Sequence, residues 1–312
     1  MENKKILILG GSGFIGSHLT KKLVSEKAQV TIVCRNPDEI RDIEAFRGAT
    51  RVKGDTKKYE DVEVNTANKD IVVNLATVVF NTGKFDPYAD LEINCKGQIN
   101  VLEALKNNNQ TAQYIYIGSS MQFGRVDPKD LPVSEDHSQA PISLYGVHKA
   151  TAEAYCKVYE RTYGLSSIIL RLPPVYGPGI TGKETRSVVE MFIKKALKNE
   201  PFRVNGLGED LKDFVYIDDV VDALVVVMSS TVRSGIYNVG SGTGVKFADV
   251  ARMIMDECKT GSYELVPFPP ELEKFEVGSL YFDITKIKKE LEWSPRVDIH
   301  EGIKKMVAFY KK

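Results

Sequence analysis

Ile6-Leu7-Ile8-Leu9-Gly10-Gly11-Ser12-Gly13-Phe14-Ile15-Gly16 is the stretch that decides the fold of this 312-residue chain. A short apolar run that stops at glycines reads as a buried strand entering a tight turn. Phe14, Ile15, Leu19 and Leu23 then recur at helical spacing, so a helix leaves the turn with one apolar face. Glycines in such a strand-turn-helix unit permit the sharp turn, let the backbone approach a pyrophosphate, and let the helix pack closely on its strand. The helix N-terminus offers unpaired N–H groups and a positive dipole end to the phosphates. Gly10, Gly11, Gly13, Phe14, Ile15 and Gly16 are therefore read as a dinucleotide-binding turn.

An acid about 20 residues further on usually accepts the adenosine ribose hydroxyls in such folds. Here the second strand, Val30-Thr31-Ile32-Val33, runs into Cys34-Arg35-Asn36-Pro37, with no acid at that place. A guanidinium forks onto phosphate, whereas a carboxylate repels it. Arg35 thus favours NADP(H) over NAD; the alternative is a solvated cation or one stacked on the adenine of NAD.

Short β-rich runs alternate with helical stretches, the order of a doubly wound α/β fold with a parallel sheet. The predicted strands are 6–9, 30–33, 71–75, 114–117 and 167–170, and the two longest intervening helices are 90–106 and 145–163. Glycine and proline punctuate the chain beyond Tyr176, as in Gly177-Pro178-Gly179 and Pro267-Phe268-Pro269-Pro270. The expected division is a Rossmann domain over 1–176 with 207–243 returning to it, and a smaller, loop-rich substrate lobe over 177–206 and 244–312.

At 43% hydrophobic residues the chain can bury one large core and a smaller one. Lysines plus arginines number 42 and aspartates plus glutamates 42, so no global field draws it to nucleic acid or to an anionic membrane. Cys34, Cys95, Cys156 and Cys258 show no zinc spacing, and His18, His137, His148 and His300 are scattered, so no metal site is expected. Absence of disulfide spacing, signal peptide and membrane span gives the expectation of a cytoplasmic protein. Asp218-Asp219 reads as an acid pair at a helix N-terminus.

Chemistry enters at Tyr145-Gly146-Val147-His148-Lys149, where Tyr145 and Lys149 share one face of a predicted helix. A phenol titrates near pH 10, and bringing it to about 7 takes roughly 4 kcal/mol of differential stabilisation. A neighbouring ammonium and an oxidised nicotinamide supply that together. Upstream, Ser119-Ser120-Met121-Gln122-Phe123-Gly124 follows a strand. With these residues the chain resembles the extended short-chain dehydrogenases/reductases that act on nucleotide-activated sugars. The resemblance spans nearly the whole chain. Asp55 matches the acid near the adenine, Asn74-Leu75-Ala76-Thr77 resembles HLAA, and Asn94 with Gly97 matches N-x-x-G. Leu170 to Pro178 resembles LR-x-x-NVYGP, Lys212 to Val220 resembles RDFVYVDDV, and Leu291 to Pro295 resembles LGW-x-P.

The resemblance implies Ser119, Tyr145 and Lys149 as the catalytic set. It further implies cofactor contacts from Arg35, Asp55, Leu75, Ala76, Asn94 and Leu172, and substrate contacts from Thr77, Ser120, Met121, Pro174 and Lys212. A base pocket near Pro201-Phe202-Arg203-Val204 and a homodimer through the helices 90–106 and 145–163 belong to the same expectation. Departures from the pattern narrow the reaction. Met121 stands where the 4,6-dehydratases carry an acid and cannot protonate a leaving hydroxyl. Pro174 replaces an asparagine, and Lys212 replaces an arginine, exchanging a fork for a point charge. The leading expectation is an NADP(H)-dependent reductase of a 4-keto sugar nucleotide. A 4-epimerase with tightly bound NAD is the alternative, followed by a non-sugar carbonyl reductase and a non-catalytic NADP sensor.

Overall fold

The computed structural model describes residues 1–39, 44–78, 86–180 and 187–311. Strands β1 (Lys5–Leu9), β2 (Gln29–Cys34), β3 (Thr50–Lys53), β4 (Ile71–Asn74), β5 (Gln113–Ser119) and β6 (Ser167–Leu172) join Gly235–Asn238 in one sheet. Its order is Gly235–Asn238, β6, β5, β4, β1, β2, β3, and every neighbouring pair is parallel. Beyond the five expected strands the sheet therefore gains both of its edges. The chain builds outward from β1 through β2 to β3, then returns to the other side of β1 with β4. That reversal opens a crevice at the carboxyl ends of β1 and β4, the place where doubly wound folds bind ligands.

Alternating side chains of β1 divide between two cores. Ile6 and Ile8 face the larger one with Leu19 and Leu23 of α1 (Phe14–Ser25), and this core runs on to Trp293 and Ile303. Leu7 and Leu9 face the other, with Leu102 and Leu105 of one helix and Ala152 and Cys156 of another. Near-continuous apolar strands are what burial on both faces requires. The second of those helices, α5 (Leu144–Tyr163), starts on Ser143, whose hydroxyl accepts from Gly146 N at 3.1 Å, and ends on Gly164 in the left-handed region at φ 71°. The helix expected over 90–106 is composite: α3 (Pro87–Leu91), a π-helical turn (Glu92–Lys96), then α4 (Gly97–Asn108), with α2 (Tyr59–Thr66) packed alongside α4. Such π turns recur at functional sites.

Past β6, Val175–Tyr176 pairs with Val215–Tyr216, and Leu211–Lys212 pairs with Val245–Lys246. The helix Ile217–Ser229 carries Asp218 and Asp219 in its first turn, and Asp219 accepts from the backbone of Arg296 and Val297. No helix among the described residues is long and apolar enough to cross a membrane.

Candidate active site

A cleft of about 690 Å³ opens at the crevice. Its floor is the glycine turn. Gly10 lies at φ +78°, and a Cβ there would stand 2.8 Å from Ala76 N, so the turns after β1 and β4 press together. At Gly16 a Cβ would meet Gly10 O at 2.5 Å, which lets α1 approach the turn. Gly13 caps α1 without a side-chain hydrogen bond, and no acid occupies the first turn. The cradle thus presents free N–H groups and no competing anion, as a pyrophosphate requires. The residues present fit a dinucleotide.

Gly10, Gly13, Phe14, Ile15 and Gly16 line this floor. On the β2–β3 side stand Arg35 and Asp55, and Arg35 has no ion-pair partner among the described residues. Asp55 accepts from Lys57 N at 3.0 Å and lies near the Lys57 ammonium. On the β4–β6 side stand Leu75, Ala76, Thr77, Ser119, Ser120, Met121, Tyr145, Lys149, Leu172 and Pro174. Sequence reading had no signal for Val33, Ile93, Ile117 or Val188, which also line the cleft as ordinary apolar residues.

Three expected residues lie elsewhere. Gly11 sits against Ile32 of β2, where a Cβ would meet Cγ2 at 2.5 Å, so its smallness serves packing. Asn94 stands one layer back, accepting the Thr77 hydroxyl at 2.8 Å. Lys212 is outside the lining; it donates to Gly278 O at 2.6 Å and pairs with Glu276, which consumes the charge expected at a diphosphate. The segment expected to form a base pocket also lies outside the lining. Pro201–Asn205 is a strand paired with Ser262–Val266, Phe202 is stacked on Phe192, and none of 201–204 lines the cleft. Among the described residues no group of His, Cys, Asp and Glu is arranged to hold a metal.

Ser119 ends β5 and caps the turn Ser120–Gln122, accepting from Met121 N at 3.2 Å while Gln122 Oε1 accepts Ser119 N at 2.7 Å. This reciprocal cap fixes the serine at the cleft. Behind it, Gln122 Nε2 donates to Glu153, whose carboxylate takes two bonds from Arg171, at 2.7 and 2.9 Å. Tyr145 shares the cleft with Ser119 and Thr77, whose side chains act on its phenol. Burial raises its phenol above the ordinary value, those two hydroxyls draw it back, and the Asp90 charge adds to the rise. Lys149 donates to Ile117 O at 2.9 Å, and its Nζ is 5.9 Å from the Tyr145 ring centroid. Burial brings its ammonium down to about 8, against the charges of Asp90 and Cys95. The tyrosine expected to be drawn downward by its lysine together with an oxidised nicotinamide is raised in the protein alone, with burial as the largest cause.

A family model, "NAD dependent epimerase/dehydratase family", matches residues 6–240, which include the whole glycine turn, Ser119, Tyr145 and Lys149. The chain belongs to this family. Its members are NAD(P)-dependent enzymes of the extended short-chain dehydrogenase/reductase type that act on nucleotide sugars. A Methanocaldococcus jannaschii protein provisionally named UDP-glucose 4-epimerase is 32% identical, over 98% of each chain. The Thermotoga maritima UDP-glucose 4-epimerase, solved with UDP-glucose, superposes at a TM-score of 0.85 with 28% identity over 98% of each chain. The Thermus thermophilus UDP-glucose 4-epimerase, solved with NAD, gives 0.86 at 26% identity, again over 98% of each. The epimerase/dehydratase family thus accounts for the sheet order and for the place of the cleft on it.

Proposed function

We propose that this protein is a nucleotide-sugar 4-epimerase that retains NAD, with Ser119, Tyr145 and Lys149 as its catalytic set. The observation behind this reading is that one cleft holds both the glycine cradle and these three side chains. Relatives named as 4-epimerases over nearly the full chain favour it above the reductase expected from sequence. Gly10, Gly13 and Gly16 hold the pyrophosphate, Asp55 and Arg35 face the adenosine half, and Leu75, Ala76 and Leu172 flank the nicotinamide half. When bound, NAD supplies the hydride acceptor at C4 and, in its oxidised form, a positive charge beside the phenol. Tyr145 would take the proton of the C4 hydroxyl and later return it to the same oxygen, once the keto-sugar has turned its opposite face to the nicotinamide and C4 has regained its hydride there, while Ser119 follows the oxygen by both donating and accepting. Lys149 steadies the phenolate. Residues 177–206 and 244–312 form the sugar-nucleotide lobe, with Thr77, Ser120, Met121 and Pro174 against the hexose. The protein works as a homodimer in a reducing compartment, in keeping with its four free thiols.

Arg35 supports a second reading, an NADPH-dependent 4-keto sugar reductase, because its guanidinium lines the cleft without an ion-pair partner among the described residues. One assay separates the two. UDP-, dTDP-, GDP- and CDP-linked hexoses and 4-keto-6-deoxyhexoses are supplied, and product and cofactor are both followed. An epimerase interconverts C4 epimers with no net use of reduced nicotinamide; stoichiometric NADPH consumption establishes the reductase instead. Tyr145→Phe is expected to abolish turnover and leave cofactor binding intact, and retained turnover would defeat the assignment.

A further inference from the structure

Ser119 is held from behind by side chains that do not line the cleft, Gln122, Glu153 and Arg171. Gln122 is fully buried, and the two ends of its amide serve different partners. Its oxygen accepts the Ser119 backbone N–H at 2.7 Å, and its NH₂ group donates to Glu153 Oε2 at 2.9 Å. Gly118 makes the room, since a Cβ there would stand 2.6 Å from Gln122 Oε1.

Glu153 dictates which way that amide points. Carboxylate oxygens only accept, so Gln122 turns its NH₂ group to Glu153 and leaves its oxygen for Ser119. The carboxylate is itself fixed: Oε2 also takes Arg171 Nε at 2.9 Å, and Oε1 takes Arg171, Lys157 and Gln139 at 2.7, 2.8 and 3.0 Å. The Ser119 hydroxyl accepts Met121 N at 3.2 Å, which occupies one lone pair. Its proton and second lone pair remain for the cleft. An apolar side chain of the size of Gln122 would fill the same space but leave the Ser119 N–H buried without its partner.

We propose that Gln122 is a positioning residue: clamped by Glu153, it fixes the end of β5 so that the Ser119 hydroxyl meets the reacting oxygen of the sugar. The inference rests on Ser119 bonding that oxygen in the proposed reaction. Gln122 lies behind the cleft wall and works only through Ser119. The hydrogen bond from Ser119 counts most in the transition state, where charge gathers on the oxygen. A displaced serine therefore lowers kcat more than it raises KM. The charged groups at this clamp are Glu153 and Lys157 of α5 and Arg171 of β6.

Two variants of the NAD-loaded protein are assayed with the hexose nucleotide that the parent converts in the panel above. Gln122→Met keeps the volume and loses both bonds. Its kcat is expected to fall about 10²-fold, with KM changed by less than about threefold and NAD still bound. Gln122→Glu restores the clamp only while the new carboxyl carries a proton, its O–H donating to Glu153 and its carbonyl accepting Ser119 N. Burial and the Glu153 charge both raise that carboxyl, so Q122E should exceed Q122M about tenfold or more in kcat at about pH 6. By about pH 9 the two carboxylates repel, and Q122E should fall toward Q122M. A parental kcat in Q122M overturns the inference, and so does a Q122M loss confined to KM. Should Q122M fail to fold, a ratio of Q122E to parent that is independent of pH overturns it. A parent that converts no member of the panel, or turnover retained in Y145F, removes the reading of the site and this inference with it. An inactive Y145F with a parental Q122M removes only this inference.

Discussion

Lys149 is buried, and its charged form is costly. Burial sets its folded value at about 8, below the ordinary 10.5 of lysine. Between these values the unfolded chain binds the proton that the folded chain has lost, so stability rises with pH across that window. Below about pH 8 the buried ammonium opposes folding, by roughly 3 kcal/mol in full. Lys149→Met removes this cost. The variant is expected to gain stability relative to the parent at pH 7 and to lose most of that advantage by pH 10, read as urea midpoints at both. A difference independent of pH would show that Lys149 is not the group titrating. Turnover should fall about 10²-fold or more, since the ammonium steadies the phenolate of Tyr145.

Among elements, α5, β6 and the turn after β5 meet at one buried ion pair. Glu153 of α5 and Arg171 of β6 are both about 1% exposed. Burial pushes the Glu153 carboxyl up, but the hydrogen bonds and charge of Arg171, with Lys157 and Gln122, bring it to about 2. A depressed acid contributes stability above its ordinary value of 4.5, and that contribution is lost as pH falls toward 2. Glu153→Gln leaves the Arg171 charge buried and unpaired, at a cost of about 3–5 kcal/mol. Denaturation curves should show that deficit at pH 7 and a smaller one at pH 3; an unchanged deficit would mean that lost packing is responsible. Ser119 depends on the same pair through Gln122, so turnover falls with stability. The central strands and α5 were legible in the sequence because burial on both faces demands apolar runs and α5 is written with its caps. β3 was not, since Thr50–Lys53 is a polar, largely exposed edge strand. The π-helical turn at Glu92–Lys96 has no propensity signature, and neither the burial of Asp90 nor its bond with Asn94 is written in the sequence. Their burial arises only when α5 packs on them.

At the scale of the whole molecule, the glycine turn, Ser119, Tyr145 and Lys149 meet at one cleft because each is placed by a strand end or helix start of the sheet, whereas Lys212 and 201–204 lie outside its lining because their positions depend on how the C-terminal segments fold back. The outer surface of the α4–α5 pair raises the remaining question. Tyr159 bonds Glu103, and Lys106 lies over the Tyr163 ring, so the two helices present a joint face. On α5, Leu144, Val147 and Val158 are all exposed. Val147 and Val158 stand about three turns apart, on one side of the helix. Tyr88 and Leu91, in the stretch leading into α4, add further exposed apolar surface. A second copy laying its own α4 and α5 here would complete a four-helix layer, and a stable pair buries about 1,600 Å² in total. Light scattering at micromolar concentration is expected to give twice the mass of the 34.8 kDa chain. The double variant Val147→Glu, Val158→Glu should halve that mass while leaving cofactor binding intact, because neither side chain lines the cleft. A parental protein that scatters as a single chain would assign these residues to bare surface.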